Sequence, residues 1–346
     1  MKRNREIDFL RGIAILLVLA RHSDYGTIFY QAGWLGVDLF FVLSGFLISG
    51  LLFRSYRETG KVHPGRFLLR RGFKIYPSFY IYLLISILAG HFFFGFHYST
   101  KAVLSEVFFV QNIFGGTNFH TWSIGIEEQF YLAAALGFWF AARFRLLHKP
   151  VFPAGLIVII TGMALVRLYL GLTVPEPFRV NDHYYLRIDA LATGILLSYA
   201  VHFYSLETLL RPGLRKAAMI LTPLLLVPFF AVSDDVRQMC LYGFTCTYLG
   251  FAGLFLVWVY ILPSYGFFRS RIVGYLTDPV SFIGRISYNV YLWHLFCGLV
   301  LERLLSPGNR LLYAVLYMAA SLVTGCLATL IIEKPFLRLR ERWTEK

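Results

Sequence analysis

The chain has 346 residues, is 58% hydrophobic with a mean hydropathy of +0.62, and carries a formal net charge of +14. Apolar runs of about 20 residues, the length that spans a bilayer, recur along it, and no soluble domain of useful size fits between them. The positive charge follows membrane topology and not nucleic-acid binding, and the four cysteines lie in apolar segments without metal-ligand spacing, so neither a metal site nor a disulfide framework is expected.

The apolar runs predict an all-α polytopic membrane helix bundle of about ten transmembrane helices, near residues 8–25, 33–53, 73–95, 123–142, 151–171, 184–204, 217–233, 240–262, 282–302 and 311–333. The first run reads as a span and not as a cleavable signal. Twenty-four Lys and Arg residues lie at the N-terminus, in the even-numbered connections and in the tail. Only Lys101, Arg179, Arg237, Arg303 and Arg310 lie in the other connections, an asymmetry that puts both termini in the cytoplasm. The 96–122 connection is the longest on the opposite side. Its apolar stretch 103–114 is too short to cross and reads as interfacial or re-entrant. With no repeat or low-complexity linker, residues 1–346 are expected to form one membrane domain without an appended soluble domain.

The first span reads IDFLRGIAILLVLARH. Arg11 and His22 are eleven residues apart, roughly three turns, so on one continuous helix they share a face about 16 Å apart. Ionisable groups at such depth are functional candidates. A bland reading pairs Asp8 with Arg11 and leaves His22 as an interfacial residue. Gly12 admits a close neighbouring helix. Arg21, a neighbour of His22, is expected to snorkel outward. In the second span, WLGVDLFFVLSGFLISG, Asp38 lies at a depth similar to His22. It either orients that imidazole or pairs with Arg21 or another helix. Ser44-Gly45 and Ser49-Gly50 read as close helix packing.

The following cytoplasmic loop carries Arg66, Arg70, Arg71 and Lys74 at the membrane surface. The cluster marks topology and anionic membrane lipids, or else grips a phosphorylated cosubstrate. The fourth span opens TWSIGIEEQFYL, where Glu127 and Tyr131 share a face, Glu128 points elsewhere, and both acids need Arg or His partners from other spans. Arg187 and Asp189 open the sixth span. In the ninth, Ser287, Tyr291 and His294 fall on one stripe, which lines a polar cavity or forms an interhelical network. Pro335 is expected to end the tenth span after Glu333.

Together IDFLRG, WLGVDLFFVLSGFLI, RRGFKIYP, WSIGIEEQFY, RIDALATG, ISYNVYLWH and EKPF resemble the acyltransferase-3 family of integral-membrane acyltransferases, in order and spacing along almost the whole chain. The resemblance implies transfer of an acetyl or other acyl group from cytoplasmic acyl-coenzyme A to a carbohydrate hydroxyl, on a glycan, a lipid-linked sugar or glycan, or a small glycoside. It implies a catalytic His22, a required Arg11, and donor binding at the basic element after the second span. Here that element reads Arg71-Gly72-Phe73-Lys74, with Lys where Arg is commoner, which counts against bidentate phosphate binding at that position.

The expected function is therefore an O-acyltransferase, most simply O-acetyl, with His22 as general base and Arg11, Asp38 and Glu127 as further catalytic candidates. Arg70, Arg71 and Lys74 are the donor candidates. Trp122, Arg187, Asp189, Tyr291 and His294 are the acceptor candidates. Acetyl-CoA or another acyl-CoA is the expected cosubstrate, without a metal. The expected location is the cytoplasmic (inner) membrane of a bacterium. Rival readings are a proton-coupled transporter using the buried His, Arg, Asp and Glu groups, and a non-catalytic membrane scaffold.

Overall fold

In the computed structural model of the protein, the described residues are 4–23, 28–173, 187–204, 210–232, 236–305 and 309–344. Lys2, Arg3, Arg179 and Lys346, and the outer ends of the expected spans 8–25, 184–204 and 217–233, lie outside them. The described residues are helical without a strand. The principal helices are α1 (Arg5–Arg21), α2 (Leu35–Thr59), α3 (Pro64–Phe94), the short α4 (Thr100–Val107), α5 (Trp122–Arg143), α6 (Val151–Thr173), α7 (Ile188–Phe203), α8 (Pro212–Val232), α9 (Met239–Ser264), α10 (Arg271–Leu304) and α11 (Arg310–Trp343). Each expected span overlaps one of the longer ten. Among the described residues, α2, α3, α6, α9 and α11 are long and apolar enough to cross a membrane, and α7 is a shorter apolar helix. The chain is an all-α membrane protein.

Several helices differ from the expected spans for local reasons. α1 stops at Arg21, and His22 sits in the turn just past its end rather than inside a helix. Arg21 suits that position because a cation complements the carbonyl end of the helix dipole. It lies over the Tyr30 ring at 5.0 Å and donates to the Tyr30 carbonyl at 3.2 Å, so it is held rather than snorkelling freely. α2 runs to Thr59, where Gly60 at φ +69° turns the chain and its N–H bonds the Tyr56 carbonyl at 2.8 Å. α3 begins at Pro64, a residue suited to a first helical turn. At 31 residues α3 is about 46 Å long, well beyond a hydrocarbon core. Its first turns carry Arg66, Arg70, Arg71 and Lys74, so the basic cluster is a helical extension and not a loop.

Pro335 does not end the last helix. A π-helical turn over Thr329–Glu333 precedes it, and the chain continues as helix through Lys334–Thr344. The widened turn shifts the hydrogen-bond register just where proline supplies no N–H.

The chain divides into two compact units. The first comprises residues 1–21, 26–62 and 138–285. In it α2 and α7 meet at Gly45 and Gly194, where a Cβ on either residue would strike the other helix's backbone. Gly12 likewise lies against the backbone of Val280. These contacts agree with the close packing expected at Gly12 and Ser44-Gly45. The core around Phe53 is aromatic, with Phe138, Phe152 and Phe203 packed against it. The second unit comprises residues 22–25, 63–137 and 286–346.

Candidate functional site

The second unit builds its site around the 96–122 connection. α4 has only 8 residues, capped by Ser99 accepting the Ala102 N–H at 3.1 Å, so this connection has no span of its own. Glu106 near the end of α4 is fully buried. Its Oε1 accepts the backbone N–H groups of Thr117 and Asn118 at 3.0 and 3.1 Å and the Thr121 hydroxyl at 2.8 Å. Gln111 donates to the Thr121 carbonyl at 2.8 Å. The Tyr291 hydroxyl donates to the His120 carbonyl at 2.7 Å and accepts from Ser123 at 2.7 Å. The Glu106 carboxyl, the Gln111 amide and the Tyr291 hydroxyl thus clamp residues 117–121. Burial raises the Glu106 carboxyl to about 7, against the lowering effect of the hydrogen bonds it accepts.

That clamped segment forms a wall of a cavity of about 300 Å³. His22 and His120 line it, with Asn118, Glu302 and the rings of Tyr98 and Tyr317. The Tyr82 hydroxyl, also on the wall, donates to Asn118 Oδ1 at 2.9 Å. His294 stands between the two cavity histidines: its ring centroid is 5.1 Å from that of His22 and 4.9 Å from that of His120, edge-on in both cases. His294 Nδ1 lies 2.6 Å from the Tyr291 carbonyl, and His120 Nε2 lies 3.1 Å from the Leu292 carbonyl. A carbonyl only accepts, so each of those nitrogens carries the hydrogen and the other ring nitrogen is a bare acceptor. Burial pushes the His120 imidazole down to about 3; the hydrogen bond to Leu292 opposes this and His22 adds to it.

The donor candidates lie elsewhere in the same unit. Arg70 is exposed, while Arg71 and Lys74 are half-buried. The Arg71 guanidinium lies 5.1 Å from the centre of the Tyr131 ring, and the Tyr131 hydroxyl donates to Glu127 Oε2 at 2.8 Å. The expected i,i+4 pairing of Glu127 with Tyr131 is present, and Arg71 is the cation whose charge acts on Glu128. Glu127 is therefore grouped with the basic element and is absent from the cavity lining around His22. Trp122 opens α5 and is half-buried. Of the stripe on α10, Ser287 and His294 are fully buried, and Tyr291 acts as a brace for the His120 segment.

Asp38, Arg187 and Asp189 belong to the first unit. Asp38, fully buried, pairs with Arg187 at 3.4 Å. Of the partners open to it, the one found is a cation at the start of α7. Asp189 takes a bidentate bond from Arg167, at 2.9 and 2.5 Å, with both side chains buried. Arg167 also lies over the rings of Phe244 and Tyr248, and Arg187 over Trp34 and Phe244. Two carboxylates and two guanidinium groups balance in charge, with aromatic faces completing the shell. Arg11 is half-buried on α1 of the same unit.

Sequence reasoning passed over His120, Glu106 and Arg167. The NFHTWS stretch did carry a signal, a histidine two residues ahead of an apolar helix. Nothing local linked it to His22 or to Tyr291, 171 positions away.

These features define a polytopic helical membrane protein whose second unit holds a histidine-walled polar cavity. Residues 4–330 match the family model of an acyltransferase domain, and the chain belongs to that acyltransferase family. Curated relatives include a peptidoglycan O-acetyltransferase OatA of Listeria monocytogenes, 26% identical over 95% of this chain and 55% of that protein. An O-acetyltransferase OatA of Staphylococcus aureus is 28% identical over 83% of this chain and 49% of its own length. The chain spans about half the length of these relatives. No solved structure matches it.

Proposed function

We propose that this chain is a membrane O-acyltransferase that moves an acyl group, most simply acetyl, from acyl-coenzyme A to a hydroxyl of a carbohydrate acceptor. The observation that carries the reading is His22 on the wall of a cavity rich in aromatic and hydrogen-bonding groups. Stacking faces beside amide, hydroxyl and carboxylate groups suit a sugar. Family membership and the names of the relatives support acyl transfer, and the Listeria relative's name favours a glycan acceptor.

In the reaction, His22 takes the proton of the acceptor hydroxyl as its oxygen attacks the thioester carbonyl carbon. The carbon–sulfur bond then breaks, and the coenzyme A thiolate recovers the proton from the imidazolium. Arg70, Arg71 and Lys74 at the start of α3 bind the phosphates of the donor. With the ten-span topology, both termini and this end of α3 face the cytoplasm, where acyl-coenzyme A is made, in a bacterial inner membrane.

The test is coenzyme A release by purified protein supplied with acetyl-coenzyme A and a panel of glycosides and soluble peptidoglycan fragments. Release that depends on the acceptor, and that falls about 10²–10⁴-fold in a folded His22→Ala variant, is the expected result. Near-normal turnover in that variant removes His22 from the chemistry. Gradient-driven solute movement in vesicles without any coenzyme A release replaces the enzyme reading with a carrier.

A further inference from the structure

We propose that His120 is an acceptor-binding residue whose Nδ1 receives a hydrogen bond from a hydroxyl of the carbohydrate, beside the hydroxyl that His22 deprotonates. This rests on the acyltransferase reading and extends it to a residue outside the first-span histidine.

Nε2 of His120 donates to the Leu292 carbonyl, so Nδ1 has a lone pair and no hydrogen. The residue is 3% exposed and lines the cavity, yet Nδ1 has no hydrogen-bond partner among the described residues. Buried polar atoms are nearly always paired, so an unpaired one on a cavity wall marks a place where a ligand or water bonds. The Tyr317 hydroxyl, buried on the same wall, makes no close hydrogen bond among the described residues, with only the Ser321 hydroxyl acting on it. An acceptor nitrogen and a hydroxyl on one polar cavity suit a polyhydroxylated ligand, which offers O–H donors to the nitrogen and lone pairs to the phenol.

The position is rigid as well as unpaired. Glu106 holds residues 117, 118 and 121, Tyr291 holds the His120 carbonyl, and Leu292 holds the ring. Such support keeps an acceptor aimed at one point, which is what orienting a sugar requires. Because burial holds the ring neutral across ordinary pH, Nδ1 stays an acceptor and does not compete with His22 for the proton. His294 keeps the two rings in register through edge contacts with both.

Two variants separate ligand binding from a purely structural role. His120→Gln keeps an amide N–H near Nε2 for Leu292 and loses the acceptor at Nδ1. His120→Asn keeps a carbonyl oxygen near Nδ1 and loses the Leu292 bond. The measurements are calorimetric binding of a peptidoglycan-derived tetrasaccharide to full-length protein in detergent, without acyl donor, and the unfolding temperature of each variant. His120→Gln is expected to weaken saccharide binding roughly tenfold while remaining the more stable variant. His120→Asn is expected to bind more tightly than His120→Gln while unfolding earlier. In turnover, His120→Gln raises the acceptor KM more than it lowers kcat. Affinity that follows stability in both variants, or equal affinity in wild type and His120→Gln, overturns the proposal. So does a wild-type protein that binds no saccharide. The wild-type transfer assay reports on the acyltransferase reading independently of these results.

Discussion

Replacing Glu106 with Gln isolates the effect of a buried charge on the clamp that shapes the cavity. All the hydrogen bonds at this side chain go to Oε1, and a Gln carbonyl offers the same acceptor. Oε2 is buried without a hydrogen-bond partner among the described residues, so the second carboxyl oxygen gains nothing from being ionised. Burial raises the group from its ordinary 4.5 to about 7. With the folded value above the unfolded one, folding favours the protonated form. Glu106 therefore imposes no ionisation penalty below about pH 4.5, where both states are protonated. Between that point and about pH 7 the unfolded chain ionises first and the fold loses stability; above it the penalty is constant, at roughly 3 kcal/mol. Glu106→Gln has no such dependence. Relative to that variant, the wild type should lose about 2 kcal/mol between about pH 5 and about pH 8. Denaturant unfolding in detergent micelles, followed by tryptophan fluorescence at both pH values, measures the gap. A gap of the same size at both would refute the argument that Glu106 folds as a neutral acid.

Three further outcomes follow from the ion pairs and the helix ends. Asp189→Asn strands the Arg167 guanidinium in a buried shell and should cost about 3–5 kcal/mol, whereas an Arg167→Met, Asp189→Leu pair should recover most of it; a double variant no more stable than the single one contradicts this account. Arg71→Gln removes a charge-assisted contact of roughly 1.5–3 kcal/mol, so the KM for acyl-coenzyme A should rise by about one to two powers of ten; an unchanged donor KM leaves the cluster as a topology signal. Cysteines placed at Lys61 and Lys101 should label from opposite faces of the membrane, and labelling of both from one face would exclude the ten-span arrangement.

The class of protein was legible in the sequence because hydrophobic length and helical period are local properties. A run of 20 apolar residues needs no knowledge of its neighbours to be recognised, and in lipid it has little choice but to be helical. The i,i+4 bond between Tyr131 and Glu127 was legible for the same reason. Helix ends were less so. Proline rules stopped the last helix at Glu333, but a π-turn there carries the chain past Pro335. The partners of the charged groups were not legible at all. Asp38 had His22, Arg21 or another helix open to it, and only the approach of α2 to α7 at Gly45 and Gly194 brings it to Arg187. His120 had no pattern to distinguish it until Leu292 and Tyr291 arrived from α10. Burial, tautomer and hydrogen-bond partner are all set by residues far away in the chain. The sequence by itself therefore determined that the chain is a helical membrane protein and which residue types its apolar segments carry. The tertiary structure decided which of those residues face a shared cavity and which are neutralised in pairs.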